Sequence, residues 1–190
     1  MFNTDSVVVK SGVKPGINVN VEVESVYAPL KKDGTGDSVL QIKVVNTSVK
    51  KVFWAPKQAG NTSNRACPYN FEFNGVKGQM GVEMTDEVAN ALELYDFVRT
   101  TKQVLLASGF EGAVEGSTYD DFCKNFVKVA PKFRADVKIV YGTSGYLEFA
   151  KSGFIAVANS GKLTITDKDV LTKEPLPTDL VSGKSDDLPF

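Results

Sequence analysis

Apolar and polar side chains alternate one by one over residues 17–24, a period that suits a β-strand and not a helix. One face would carry Ile17, Val19, Val21 and Val23, and the other Asn18, Asn20, Glu22 and Glu24. The sequence therefore predicts a strand with one buried face, preceded by a polar lead-in over residues 1–16.

Strand patterns recur on both sides of a helical stretch. Further strands are predicted at 40–44, 50–55, 69–73, 76–82, 137–141, 146–149, 154–158 and 163–166. Between them, apolar residues at spacings of three and four predict helices over 86–107, capped by Thr85, and over 117–129. The expected fold class is mostly β with a helical insertion. Its order matches a five-stranded Greek-key barrel of the OB type, in which the helix lies between strands three and four. A small mixed sheet is the alternative.

Composition excludes several kinds of site. The chain has no histidine, which excludes Ser-His-Asp and Cys-His catalysis and any His-ligated metal. Its two cysteines, Cys67 and Cys123, are too few for a disulfide framework or a Cys-only zinc site, and their pairing stays open. No apolar run approaches the roughly 20 residues of a membrane span, and residues 1–14 lack a signal-peptide pattern. We expect a cytoplasmic protein without a membrane partner, a cofactor or a bound metal.

Charge is distributed unevenly along the 190-residue chain, whose formal net charge is only -1. Residues 167–190 carry six acidic and three basic side chains, whereas residues 1–166 carry 17 acidic and 19 basic ones. Residues 31–65 hold seven basic side chains against two acidic ones. The sequence thus predicts a folded body over 1–166 with a basic region, followed by a flexible acidic tail.

The last five residues of the chain suit docking into a partner protein. Phe190 joins a large apolar ring to the terminal carboxylate, and Pro189 limits the backbone freedom lost on binding. Asp186 and Asp187 precede the aliphatic Leu188 and would meet a basic rim. An apolar pocket with cationic edges would accept such a peptide.

This ending resembles the acidic C-terminal tip of bacterial and bacteriophage single-stranded DNA-binding proteins. In that family, aspartates are followed by an aliphatic residue, proline and a terminal phenylalanine, as in residues 186–190. The strand-helix-strand order of the body agrees with the family's OB domain. The body is longer, with two predicted helices in the insertion, which indicates a divergent phage-type member and leaves a homo-oligomer open.

The resemblance implies a function without catalysis. Such a protein coats and protects single-stranded DNA during replication, recombination and repair. Its tip would recruit a helicase, primase, polymerase or recombinase.

Binding of single strands requires a cationic groove and aromatic faces on which bases stack. Within residues 31–65 the candidate cations are Lys31, Lys32, Lys43, Lys50, Lys51, Lys57 and Arg65. An alternation that buries Val52 would point Lys51 and Phe53 outward together, which makes Phe53 the preferred stacking residue. Trp54 is then equally a core residue or a platform, and a bulge would exchange the two. The alternative interpretation is a solvated lysine-rich face over ordinary core aromatics.

Three aromatic residues outside that region are further candidates. Tyr69 and Phe71 would share one strand face, for which core packing is the preferred interpretation and base stacking the alternative. Tyr146 lies in a glycine-flanked turn between two late strands. It is predicted to contact a base, because OB barrels bind ligands with that loop.

Two other functions stay open at this point. In a virion structural or adaptor protein, the basic region would have no role in function, and the protein would have no affinity for oligonucleotides at moderate salt. A metal-dependent nuclease would need a compact carboxylate site. The sequence has one acidic group, better explained as a solvated loop and a helix start: Glu111, Glu115, Asp120 and Asp121.

Overall fold

A computed structural model describes residues 12–56 and 65–173. Lys57 and the predicted tip over 186–190 lie outside the described residues. The strands are β1 (Gly16–Pro29), β2 (Ser38–Val44), β3 (Lys50–Phe53), β4 (Phe71–Phe73), β5 (Val76–Gly78), β6 (Lys132–Tyr141), β7 (Leu147–Phe149) and β8 (Ile155–Val157). The helices are α1 (Asp86–Ala107) and α2 (Tyr119–Val129), both between β5 and β6. The prediction of a mostly β fold with a helical insertion is confirmed.

The main sheet is antiparallel and has six strands. The hydrogen-bonded order is β3-β2-β1-β6-β7, and β8 pairs with β6 beside β7. The sheet is not closed: β3 and β7 lie next to each other at its two edges without forming a ladder. It therefore differs from the expected five-stranded barrel in strand number and in closure. The sixth strand arises because the partner of β6 is interrupted between residues 149 and 155.

A bulge in β1 changes which side chains face the core. The register between β1 and β6 shifts between Asn18 and Val21, and Asn20 adopts a left-handed φ of 54°. Such a bulge reverses the in-and-out alternation of a strand. Val19 is 56% exposed whereas Val23 is fully buried, so the prediction of one common apolar face across residues 17–23 is wrong.

The core has two parts joined by α1. The larger cluster packs sheet residues such as Val23, Ile42 and Ile139 against Phe126 of α2 and the C-terminal half of α1. The smaller cluster packs the β4–β5 hairpin on the N-terminal half of α1. Cys67 and Cys123 are buried free thiols in different clusters, and burial raises the pKa of Cys123 to about 11.

Local signals placed the helices correctly. The hydroxyl of Thr85 accepts a hydrogen bond from the Val88 N–H, and α1 spans the predicted 86–107. α2 begins at Tyr119, two residues later than predicted, because Thr118 is the capping residue. The strand predicted at 163–166 does not form. Among the described residues, neither helix has both the length and the apolar character needed to cross a membrane.

The chain after β8 lies against β6. The Lys138 ammonium, buried on β6, forms a 2.8 Å ion pair with Asp169. The Tyr141 N–H donates to the carbonyl oxygen of Val170 at 2.8 Å, and Leu171 packs against the larger cluster. Residues 169–171, within the predicted flexible tail, therefore contact the sheet and its core.

Candidate nucleic-acid interface

The register of β2 and β3 brings two lysines side by side on one face of the sheet. Lys43 and Lys50 are Cα partners, and successive side chains on a strand point to opposite faces. Lys43 therefore shares its face with Gln41, and Lys50 shares it with Val52. Within the described residues, no carboxylate lies within ion-pair distance of either ammonium group. On this face Lys50 is exposed, Lys43 and Val52 are half-exposed, and Gln41 is buried. We call it the outer face of β2–β3.

Trp54 and Phe53 are oriented opposite to the expectation. Trp54 is 56% exposed, whereas Phe53 is 6% exposed and belongs to the larger core cluster. The prediction that Phe53 points outward as the stacking residue is wrong, because Phe53 pairs with the buried Leu40 and fills the core beside it. Val52, the assumed buried residue, is half-exposed on the outer face.

A side chain from α2 holds the end of β3 in place. The Tyr119 hydroxyl donates to the carbonyl oxygen of Phe53 and accepts from the Leu40 N–H at 3.1 Å. Burial raises the pKa of Tyr119 above its usual value. The hydroxyl therefore stays protonated and able to donate at neutral pH. The chain leaves β3 at this point, and Trp54 follows directly.

Lys51 is directed away from the outer face. Its ammonium lies 4.6 Å from the centroid of the buried Phe154 ring. Burial lowers the pKa of Lys51, while the nearby Glu148 on β7 acts to raise it. Lys51 thus occupies the gap between the sheet edges β3 and β7, and the prediction that it points outward is wrong.

The structure places three other predicted residues in or beside the β4–β5 hairpin. Phe71 is 7% exposed in the smaller core cluster, which confirms core packing as its environment. The Tyr69 hydroxyl donates to Asp96, and its ring lies 5.3 Å from the Arg99 guanidinium. Arg65 is exposed beside this hairpin, its carbonyl oxygen bound to the Met84 N–H. The structure does not bring these residues onto the outer face of β2–β3.

Lys31 and Lys32 lie in the loop between β1 and β2, and both are exposed. The loop is closed by a hydrogen bond from Leu30 N–H to the Asp37 carbonyl oxygen at 3.1 Å. The Asp33 carboxylate accepts from the Thr35 hydroxyl and N–H, and these bonds lower the Asp33 pKa. The loop joins the end of β2 that lies nearest Trp54, since Phe53 pairs with Leu40.

Tyr146 lies beyond the other end of the outer face. It is 77% exposed, and its carbonyl oxygen accepts from the Gly142 N–H at 2.9 Å across the β6–β7 turn. Beside it opens a cleft of about 430 Å³, which is also lined by the β2–β3 turn over residues 46–49 and by Gly12 and Val13. Because Lys50 follows that turn, the cleft adjoins the lysine end of the outer face.

The outer face therefore has an aromatic residue near each end. Trp54 and Lys50 are four positions apart, which is about 13 Å along an extended chain. Tyr146 lies beyond Lys50, across the cleft. The cleft residues Asn46, Ser48 and Lys173 were missed from the sequence. The only signal for the turn residues was the break at Asn46-Thr47-Ser48, which marks a turn without indicating what faces it.

Comparisons with protein-family models, with curated proteins and with solved structures found no match to this chain. Within residues 12–56 and 65–173, no group of three or more Cys, Asp or Glu side chains is arranged to hold a metal ion.

Proposed function

We propose that this protein binds single-stranded DNA, coats and protects it during replication, recombination and repair, and has no catalytic step of its own. The observation that carries the proposal is the exposed indole of Trp54, which follows the strand carrying Lys50 and its partner Lys43. Tryptophan is highly buried on average in folded proteins, so a half-exposed indole beside two lysines is a candidate surface for base stacking.

The chemistry of the outer face suits an unpaired strand. A base stacked on an aromatic ring contributes roughly 1–3 kcal/mol and needs no particular sequence. Lysines that neutralise phosphates release counterions, which adds affinity at low salt. Trp54 and Tyr146 offer the two rings. Between them lie the ammonium groups of Lys43 and Lys50, which have no carboxylate partner among the described residues.

The connectivity of the sheet supports an OB-like domain as the scaffold. β1 pairs with both β2 and β6, the helices lie between β3 and β6, and β3 approaches β7 as the closing strands of such a barrel do. We propose that the sheet is an open, enlarged variant of that barrel. The loops over 30–37 and 142–146 then correspond to the two loops that OB domains use beside strands two and three.

We propose that the C-terminal tip recruits a helicase, primase, polymerase or recombinase. Support comes from the sequence of residues 186–190, whose Phe190 ring and preceding aspartates suit an apolar pocket with a basic rim. The recruiting role is separate from strand binding, because the tip carries no basic side chain.

Trp54 is the chain's single tryptophan, so its emission reports on the outer face. Titration of oligo-dT should quench that emission. The logarithm of the association constant should fall with log salt by about 0.7 for each phosphate contacted. Duplex DNA of equal length should compete weakly. Absence of binding to oligo-dT in dilute buffer, checked by the anisotropy of a labelled strand, would contradict the proposal and favour a structural or adaptor role.

A further inference from the structure

A row of charged side chains crosses four neighbouring strands of the main sheet. Lys50 on β3 is the Cα partner of Lys43 on β2. On β1, Glu24 is the Cα partner of Lys43 on one side and of Lys132 on β6 on the other. Side chains of partner residues point to the same face of a sheet, with Cβ atoms about 4.5–5.5 Å apart. One carboxylate therefore interrupts a row of lysines.

Glu24 belongs to the same face as these lysines. Its neighbours Val23 and Ser25 are buried on the core side of β1, and successive side chains of a strand alternate between the two faces. Glu24 is half-buried. Among the described residues, no ammonium or guanidinium group lies within ion-pair distance of its carboxylate. Its negative charge is therefore not balanced by a close partner.

The cations on β6, beyond Glu24, already have partners. The Lys132 ammonium forms an ion pair with Glu22 at 2.9 Å. Arg134 is the Cα partner of Glu22, and its guanidinium donates to the carbonyl oxygen of Asn20 at 2.7 Å. In this part of the sheet, β1 and β6 thus carry as many acidic as basic side chains on the outer side, whereas β2 and β3 carry two lysines. The excess of positive charge ends at β1.

We infer that Glu24 sets the edge of the strand-binding surface. Its carboxylate repels phosphates from β1 and β6, and the bound strand is confined to the outer face of β2–β3. In water, one unit charge about 8 Å from a phosphate changes affinity about two- to threefold at low salt. The inference rests on the proposed single-strand binding and names the residue that limits where the strand lies.

Glu24→Gln in the full-length chain tests this by removing the charge and keeping the shape of the side chain. Affinity for oligo-dT, measured by anisotropy, should rise about threefold in dilute buffer. The slope of log affinity against log salt should steepen by about 0.7, because Lys132 becomes a further phosphate contact. Lys132→Gln in the otherwise unmodified protein should leave the slope unchanged. In the Glu24→Gln background the same substitution should remove the added 0.7, a non-additivity that shows coupling between the two positions.

Glu72→Gln is the matched control. Glu72 lies on β4, outside the main sheet, and its carboxylate pairs with Lys77. Its substitution removes the same charge and should leave affinity unchanged. The inference fails if Glu24→Gln leaves affinity or slope unchanged, or if Glu72→Gln has an equal effect. It also fails if Lys132→Gln alone lowers the slope, because the strand would then already cross β1. Failure of the proposed function is distinct, because the unmodified protein would then not bind oligo-dT.

Discussion

The hydroxyl of Tyr119 donates a hydrogen bond to the carbonyl oxygen of Phe53 at the end of β3. The same hydroxyl accepts from the N–H of Leu40, the Cα partner of Phe53 on β2. It thus lies where a direct bond of the ladder would otherwise run. Helix α2 therefore fixes the point at which the strand ends and Trp54 becomes exposed.

Removal of this hydroxyl should weaken the fold. In Tyr119→Phe the Leu40 N–H and Phe53 carbonyl lose their shared partner, and we expect a loss of about 1–2 kcal/mol in the free energy of unfolding, measured with urea. Trp54 should also change its accessibility to acrylamide. An unchanged urea midpoint together with unchanged quenching would show that the hydroxyl does not control the strand end.

Tyr27→Phe is the comparison for that experiment. The Tyr27 hydroxyl donates to Asp120, and this bond raises the Tyr27 pKa to about 12, but neither group belongs to the β2–β3 ladder. Asp120 keeps its ion pair with Lys124 in the variant. We expect a smaller loss of stability and no change in Trp54 quenching.

The helices were predicted correctly because their signals come from residues close together in the sequence. Thr85 lies three residues from the N–H that it caps, and the helical period of α1 is complete within its own segment. The bulge in β1 is different. The Asn20 N–H donates to the Asp136 carboxylate, 116 residues away, so nothing local marks it. This one-residue register shift places Ile17 and Val19 on the exposed face of the sheet instead of the buried one.

The candidate site was predictable in residue type but not in orientation. The lysines and the Phe53–Trp54 pair were visible in the sequence, yet their facing depends on Leu40 and on a hydroxyl of α2. Lys51 illustrates the same limit. The alternating pattern of β3 predicted that Lys51 points outward. Its ammonium instead lies over the ring of Phe154, a residue about 100 positions away in the sequence, so no local signal could show this contact.

Substitutions of Trp54 and Phe53 should have opposite effects on affinity for the strand and on the free energy of unfolding. Trp54→Ala should weaken oligo-dT binding by about 1–3 kcal/mol, because one stacking surface is lost. Its free energy of unfolding should change by less than about 0.5 kcal/mol, since the residue is exposed. Anisotropy of a labelled strand and urea denaturation measure the two quantities.

Phe53→Leu should show the reverse. The buried ring contacts the core, so we expect a loss of about 1–2 kcal/mol in stability with nearly unchanged affinity. If Phe53→Leu lowers affinity more than Trp54→Ala does, the assignment of Trp54 as the stacking residue is wrong.

Adjacent lysines on β3 provide a charge test. Lys50→Gln should lower the slope of log affinity against log salt by about 0.7, the value for one phosphate contact on a single strand. Lys51→Gln removes the same charge one position along, but its ammonium lies over the Phe154 ring. We expect an unchanged slope for Lys51→Gln. Equal effects of the two substitutions would mean that binding senses net charge and not the outer face.

Acid should reveal the contribution of the buried ion pair between Lys138 and Asp169. The side chains are 3% and 9% exposed, and Asp169 also accepts from the N–H and hydroxyl of Thr166 at 2.7 and 2.9 Å. The bond from Lys138, helped by those from Thr166, holds the pKa of Asp169 below its usual value. Its stabilisation is therefore complete above the unfolded pKa of about 3.9 and disappears as pH falls through the folded pKa.

Asp169→Asn should lose about 3 kcal/mol at pH 7, because an ammonium stays buried without its counter-charge. The difference from the unmodified protein should shrink as pH falls from about 4 through the lower folded pKa, because Asp169 becomes protonated in the unfolded chain before it does so in the folded protein. Urea midpoints at pH 7, 5, 4 and 3 measure this. The control is Asp167→Asn, an exposed residue without an ion pair among the described residues, which should show no pH-dependent difference. A difference for Asp169→Asn that stays constant down to pH 3 would exclude the charged pair as its cause.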